Sequence, residues 1–223
     1  MERLYEREAY GEAARAGCFW QAPAGDWPRL AGTYRATTAI IGAGFTGLSA
    51  ALHLAEAGED VAVLEAEAPG WGASGRNGGF CCMGGSKLGE ARLARRYGAK
   101  AANAFVSQQK AAVGLVARLL ERHGIDADTH SHGEIELAHR PEAMAGFGAQ
   151  VEQLARHGIQ ARQLDRRDLE SEGLAGPEFH GGLHVKLGFA LDPAKYADGL
   201  ARAATRTGGL AREFVILSLV VEE

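Results

Sequence analysis

Between Gly42 and Glu65 the chain reads as a strand end, a glycine turn, a helix and a second strand closed by an acid, and that order of parts builds a β-α-β unit. Thr38-Ala39-Ile40-Ile41 is a short β-prone run leading directly into Gly42-Ala43-Gly44-Phe45-Thr46-Gly47. A GxGxxG placed between strand and helix is the context in which backbone groups bind a dinucleotide pyrophosphate. Gly42 allows the tight turn, Gly44 lets backbone approach a phosphate, and Gly47 lets the helix pack on the sheet. The spacing predicts a helix from Thr46 to Glu56, with Leu48, Ala51, Leu52 and Ala55 on one face and Gly58 as its C-cap. The first N–H groups of such a helix have no intrahelical acceptor and point toward the phosphates. Val61-Ala62-Val63-Leu64 forms the next strand. Glu65 then falls roughly 20 residues after the glycines, where a carboxylate accepts from a ribose hydroxyl. An acid at this place suits a free 2′-OH and repels a 2′-phosphate.

Thr37 to Ala55 carries no charged side chain, yet glycines, threonines, Ser49 and His53 interrupt a run barely long enough to span a bilayer, so a membrane helix is rejected. The formal charge of −4 over 223 residues, with no basic run, gives no electrostatic case for nucleic acid. Cys18, Cys81 and Cys82 are odd in number and lack a CxxC, which fits a reducing compartment. Met1 to Glu8 contains no apolar core of a secretory signal. A cytoplasmic location is expected.

Further along, the chain is expected to organise as an irregular arm over 1–35, a dinucleotide-binding domain over 36–110 and 181–223, and a second, partial domain over 111–180. Pro69 to Gly89 is a glycine-dense loop, and loops this long inside a compact domain are usually functional. One or two helices are predicted over 90–123, a strand over Gly133–Ala138 in which Glu134-Ile135-Glu136-Leu137 alternate, a helix from Pro141 to His157, a strand over Gly181–Phe189 and a helix from Pro193 to Thr205. A β-prone run, Phe214 to Val221, ends the chain.

Within the glycine-dense loop, Trp71-Gly72-Ala73-Ser74-Gly75-Arg76-Asn77-Gly78-Gly79 lies shortly after Glu65. In a Rossmann-type layout that is the carboxyl edge of the sheet, where ligands bind. Consecutive N–H groups in a glycine-rich turn form an anion-binding concavity, to which Ser74 adds a hydroxyl and Arg76 a forked cation.

These segments, together with Gly188-Phe189-Ala190-Leu191-Asp192-Pro193-Ala194-Lys195-Tyr196 and Leu200, resemble the FAD-dependent oxidoreductases of the D-amino-acid oxidase type, and most of all their γ-glutamylputrescine oxidase-like branch. The resemblance implies an α/β fold, a Rossmann-type FAD-binding domain with a partial α+β substrate domain, and FAD held non-covalently or, occasionally, covalently. It implies pyrophosphate contacts from Gly42, Gly44 and Thr46, an adenosine ribose contact from Glu65, a place near the pyrophosphate and flavin for Ser74, Arg76, Asn77 and Gly78, and further cofactor-binding positions at Ala43, Phe45, Gly47, Ala66 and Gly75. It implies oxidation of a C–N bond in a small amine or amino acid, with hydride passing to the flavin.

Family members run well beyond this length, so the resemblance also implies a truncated chain whose pattern lapses after Gly208. A flavin ring without its cover is then expected, with a partner chain as one source of the missing half. A non-catalytic nucleotide-binding remnant or interaction subunit is the alternative, and an NAD-dependent dehydrogenase is a weaker one, since a plain NAD domain has no need of the Ser74 to Gly79 loop. No metal set is expected: His130 and His132 have only loop carboxylates nearby. Cys81 and Cys82 read as inert thiols, Ser74 lacks a nucleophile elbow, and no catalytic residue is named.

Overall fold

The computed structural model describes residues 17–21, 25, 27, 30–207 and 215–218, the last four as backbone. In chain order its elements are β1 (Thr38–Ile41), α1 (Phe45–Glu56), β2 (Val61–Glu65), β3 (Phe80–Cys81), α2 (Glu90–Tyr97), α3 (Ala99–His123), β4 (Glu134–Leu137), α4 (Pro141–Arg156), β5 (Ala161–Leu164), α5 (Arg166–Ser171), β6 (Gly182–Val185), β7 (Phe189–Ala190), α6 (Pro193–Thr207) and β8 (Val215–Ser218). Most of the expected arm lies outside the described residues. The chain divides into two compact units, one of Met1–Gly78, His123–Asp128 and Asp192–Glu223, the other of Gly79–Arg122 and Thr129–Leu191.

The first unit is the expected α/β body. Its sheet is parallel in the order β1-β2-β8, with Ile40 opposite Val63 and Val63 opposite Ile216. Val61, Ala62 and Val63 are all buried, as in a strand covered on both faces. Helix α1 buries Leu48, Ala51, Leu52 and Ala55, the face its periodicity marks out. Helix α6 is lined with Ala194, Ala197, Ala201 and Ala204, all buried, and such small side chains let it lie close to α1, where the Tyr196 ring stands 5.2 Å from that of Phe45. A Cβ on Gly199 would sit 2.2 Å from Ile125 Cγ2, so only glycine fits this contact. Asp192 starts α6 by accepting from the N–H groups of Ala194 at 2.8 Å and Lys195 at 3.0 Å, with Pro193 in the first turn.

In the second unit β4, β6 and β5 form an antiparallel sheet in that order, with β6 central. Helix α4 lays Phe147 against Leu183, Val185, Ile159 and Ala138 to make its core. A second small ladder pairs Phe80 with Ala190 and Cys81 with Phe189.

Several expectations are corrected. Residues 79–110 and 181–191, assigned from sequence to the dinucleotide-binding domain, fall in the second unit, because β6 pairs with β4 and β5 and β7 pairs with β3. The supposed strand over Gly181–Phe189 is two short strands, split at Gly188, whose φ of +108° breaks the extended run. The glycine-dense loop is not wholly irregular, since Ala73–Gly75 form a 3-10 turn and Phe80–Cys81 a strand. Strand β5 and helix α5 were unforeseen. The helix start is nonetheless marked by a reciprocal capping box, in which Asp165 accepts from the Asp168 N–H at 2.8 Å and Asp168 from the Asp165 N–H at 3.0 Å.

Candidate functional site

The two glycine-rich segments meet in the first unit. Gly42 leaves β1 with φ of +96°, the left-handed region that glycine occupies without strain, and its N–H donates to Leu64 O at 2.7 Å. A Cβ on Gly47 would lie 2.0 Å from Gly42 O and 3.2 Å from Ile40 Cγ2, so the helix can rest on its own turn only without a side chain there. Gly44 is the N-cap of α1 and supplies no side-chain cap. Ser74 takes that role from across the turn, its Oγ accepting from the Phe45 N–H at 3.0 Å. A Cβ on Gly44 would stand 2.9 Å from the same oxygen, so this glycine makes room for Ser74 as well as for a ligand.

The second loop is held by its own bonds. Gly70 N–H donates to Ala43 O at 2.9 Å, tying loop to turn. A Cβ on Gly75 would fall 2.3 Å from Gly70 O, and one on Gly70 would fall 2.6 Å from the Ala197 Cβ. The Asn77 amide donates to Ser74 O at 2.9 Å and Ala73 O at 3.2 Å, while its backbone carbonyl accepts from Trp20 Nε1 at 2.6 Å. The Arg76 guanidinium lies 4.5 Å from the centre of the Trp71 ring and its Nε donates to Gly72 O at 3.3 Å. Gly78 and Ala66 are exposed at the loop ends.

Glu65 closes β2 with both oxygens engaged by backbone: Oε2 accepts from the Ala43 N–H at 2.7 Å and Oε1 from the Glu67 N–H at 3.1 Å. A carboxylate has about four acceptor positions, so one fixed in this way retains capacity for hydroxyl donors. The turn, the first N–H groups of α1, the fixed carboxylate and the Ser74 loop therefore fit the pyrophosphate and ribose of a dinucleotide. Sequence reasoning missed the Ser74 to Phe45 bond and the Ala43 to Glu65 bond, since both join segments 22 residues or more apart.

The second unit holds a cavity of about 430 Å³ whose lining includes Glu90, Glu134, Glu136, Gln109 and Phe105. Burial opposes charge on Glu90, but hydrogen bonds from Gln153 at 2.7 Å and His157 at 3.1 Å outweigh it and hold the carboxyl below its usual range. Burial, and then the hydrogen bond to Glu134 and its charge, push the Cys82 thiol up to about 12, and burial also raises Cys81. His184 Nε2 lies 3.0 Å from His132 O, and its buried Nδ1 has no partner among the described residues. No group of three or more metal-ligating side chains occurs among the described residues. None of their helices is long and apolar enough to cross a membrane.

Comparison with known proteins places this geometry. The chain is 35% identical over 174 residues to the gamma-glutamylputrescine oxidoreductase of Escherichia coli K12, a match covering 78% of the chain and 40% of that protein. Among solved structures, glycine oxidase from Geobacillus kaustophilus superposes with a TM-score of 0.60 at 24% identity, over 79% of this chain and 46% of the other. L-Amino acid deaminase from Proteus myxofaciens superposes with a TM-score of 0.65 at 20% identity, over 88% of this chain and 41% of the other. These two likenesses bear on the fold. The chain spans about two fifths of the length of the curated relatives it matches. The expectation that the family pattern lapses after Gly208 is corrected, because β8 takes its parallel place beside β2 and the family match continues past it. With residues 37–222 matching the model described as FAD dependent oxidoreductase, the chain belongs to that family, DAO.

Proposed function

We propose that this chain forms the nucleotide-gripping part of an FAD-dependent enzyme that oxidises a C–N bond of a small amine or amino acid. The observation that carries the reading is the junction of the Gly42 turn with the Ser74 loop through the Phe45 N–H and Ser74 Oγ, 3.0 Å apart. The N–H groups of Gly44, Thr46 and Gly47, at the positive end of α1, would hold the pyrophosphate, with the Phe45 N–H engaged by Ser74 beside them. Glu65, with Ala43 and Ala66 beside it, would orient the adenosine ribose. Ser74, Gly75, Arg76, Asn77 and Gly78 would shape the path toward the flavin. FAD, when bound, supplies the hydride acceptor, and the protein's share is to hold and orient it. The second unit is read as part of a substrate domain. Three free cysteines, Cys18, Cys81 and Cys82, favour a reducing, cytoplasmic setting.

The alternative reading is a nucleotide-binding remnant or interaction subunit without turnover. One experiment separates the two. The purified chain is titrated with FAD and, in parallel, with NADH, and the flavin spectrum is then followed anaerobically with an amine. Flavin binding with bleaching supports the enzyme, flavin binding without bleaching supports the remnant, and a preference for NADH rejects both.

A further inference from the structure

Trp20 lies before β1, 57 residues from the loop it touches, and its indole Nε1–H donates to Asn77 O at 2.6 Å. An indole nitrogen can only donate, and its single proton goes to this loop. The residues around it hold the ring. The Gln21 amide donates to Cys18 O at 2.8 Å, closing a turn, and the Phe19 ring stands edge-on to the indole with centroids 4.8 Å apart. Phe19 is 83% exposed while Trp20 is half-buried, so the ring with the polar tip is the one turned into the protein. Asn77 is clamped in its turn, its side-chain amide donating to Ser74 O at 2.9 Å and Ala73 O at 3.2 Å. The peptide between Asn77 and Gly78 is trans, and in a planar trans peptide the C=O and the following N–H point in opposite directions. A carbonyl held toward Trp20 therefore holds the Gly78 N–H toward the other side. Gly78 is exposed, and its N–H has no acceptor among the described residues. Because glycine takes either sign of φ at little cost, a peptide that precedes one flips readily, and an anchor on its carbonyl selects one orientation.

We propose that Trp20 is a positioning residue of the cofactor site, whose indole N–H fixes the peptide between Asn77 and Gly78 so that the Gly78 N–H is presented as a donor to FAD. This rests on the FAD reading above and adds to it a residue outside both glycine-rich segments. The bond also completes a run of contacts from Trp20 to Asn77, from Asn77 to Ser74 and from Ser74 to Phe45, so one side chain ahead of the sheet steadies both the loop and the start of α1.

The whole chain is compared in three forms: wild type, Trp20→Phe, and a form in which the Trp20 indole is replaced by its benzothiophene isostere, which keeps the bulk and lacks the N–H. Without FAD, one of the three indole N–H signals of the wild type, identified by its loss in Trp20→Phe, should exchange with solvent about tenfold more slowly than that of free tryptophan. On titration with FAD the Gly78 amide signal should shift in wild type, and that shift should be lost in both altered forms. The FAD dissociation constant should rise about fivefold in each, the size of one hydrogen bond. If the ring acted only by packing, the isostere would match wild type in affinity and in the Gly78 shift. That match overturns the proposal, as does an unprotected Trp20 N–H, or a Gly78 signal that stays unmoved in a wild type that binds FAD. A wild type that binds no FAD overturns the FAD reading and the proposal with it, so the two failures are told apart.

Discussion

Ser74 caps a helix that begins 29 residues before it: its Oγ accepts from the Phe45 N–H at 3.0 Å, in the place where Gly44 offers no side chain. One hydroxyl thus joins the two loops proposed to hold the cofactor. Ser74→Ala leaves the N–H without this acceptor and frees the loop, a loss of about 1 kcal/mol typical of an N-cap. The expected outcome is a lower melting temperature and an FAD dissociation constant raised about fivefold, read by flavin fluorescence titration. An unchanged constant would remove Ser74 from the cofactor site.

Glu65 makes a different kind of contribution, because its carboxylate takes two backbone donors, Ala43 and Glu67, at 2.7 and 3.1 Å. Glu65→Gln keeps one acceptor but turns an amide N–H₂ toward one of those donors. Hydrogen bonds to a charged group contribute about 1.5 to 3 kcal/mol. FAD affinity should fall by about tenfold or more, with NADH binding no better than before. Titration of wild type and variant side by side checks this.

Gly47 and Gly148 are both helical glycines with opposite surroundings. A Cβ at position 47 would meet Gly42 O at 2.0 Å, whereas one at position 148 would meet nothing within 4 Å. Gly47→Ala must push α1 off its turn and should destabilise by more than about 2 kcal/mol, among the larger single-residue effects. Gly148→Ala, on the exposed side of α4, should stabilise by up to about 1 kcal/mol through helix propensity. Thermal denaturation of the two variants should therefore move in opposite directions.

Much of the site was legible because its signals are local. The strand, turn, helix, strand and acid between Thr38 and Glu65 occupy consecutive residues, and periodicity places Leu48, Ala51, Leu52 and Ala55 on the buried face they take in the structure. The second loop was legible for its glycines, though their individual tasks, such as Gly70 lying under Ala197, depend on a helix more than 100 residues away. The unit boundaries were not legible. Gly79–Arg122 and Thr129–Leu191 join because β6 pairs with both β4 and β5 and β3 pairs with β7, and such non-local pairings carry no mark in a four-residue or two-residue strand. Strand β5, Ala161-Arg162-Gln163-Leu164, lacks β-branched residues altogether, so only its ladder with β6 makes it a strand.

In the second unit Glu90, in the first turn of α2, is bonded by Gln153 and His157 at the end of α4. Its pKa is lowered in the folded chain, so the folded state binds the proton less readily than the unfolded one. The stabilisation is full above the ordinary glutamate range and fades as pH falls through the lower folded value. Acid denaturation followed by circular dichroism should show wild type losing stability through that window more steeply than Glu90→Gln, which carries no titrating group there. Equal slopes would show that the clamp contributes nothing.

Cys82 offers the sharpest contrast between an available thiol and a reactive one. A flavin bond or alkylation at sulfur requires the thiolate, and burial together with the Glu134 carboxylate push this thiol up to about 12. At pH 8 the thiolate fraction is then on the order of one in ten thousand, against roughly one in four for an ordinary cysteine of pKa 8.5. Iodoacetamide should label Cys82 slowly at that pH. Glu134→Gln removes both the negative charge and the strong acceptor while leaving the burial, so labelling should accelerate by tenfold or more. The same chemistry predicts that colour acquired from FAD is released on denaturation, because neither Cys81, also raised by burial, nor Cys82 presents a nucleophile. Rapid labelling of wild-type Cys82, located by peptide mass, would show that Glu134 does not face the thiol in solution. Flavin retained on a peptide containing Cys81 or Cys82 would show that a thiolate forms at this place after all.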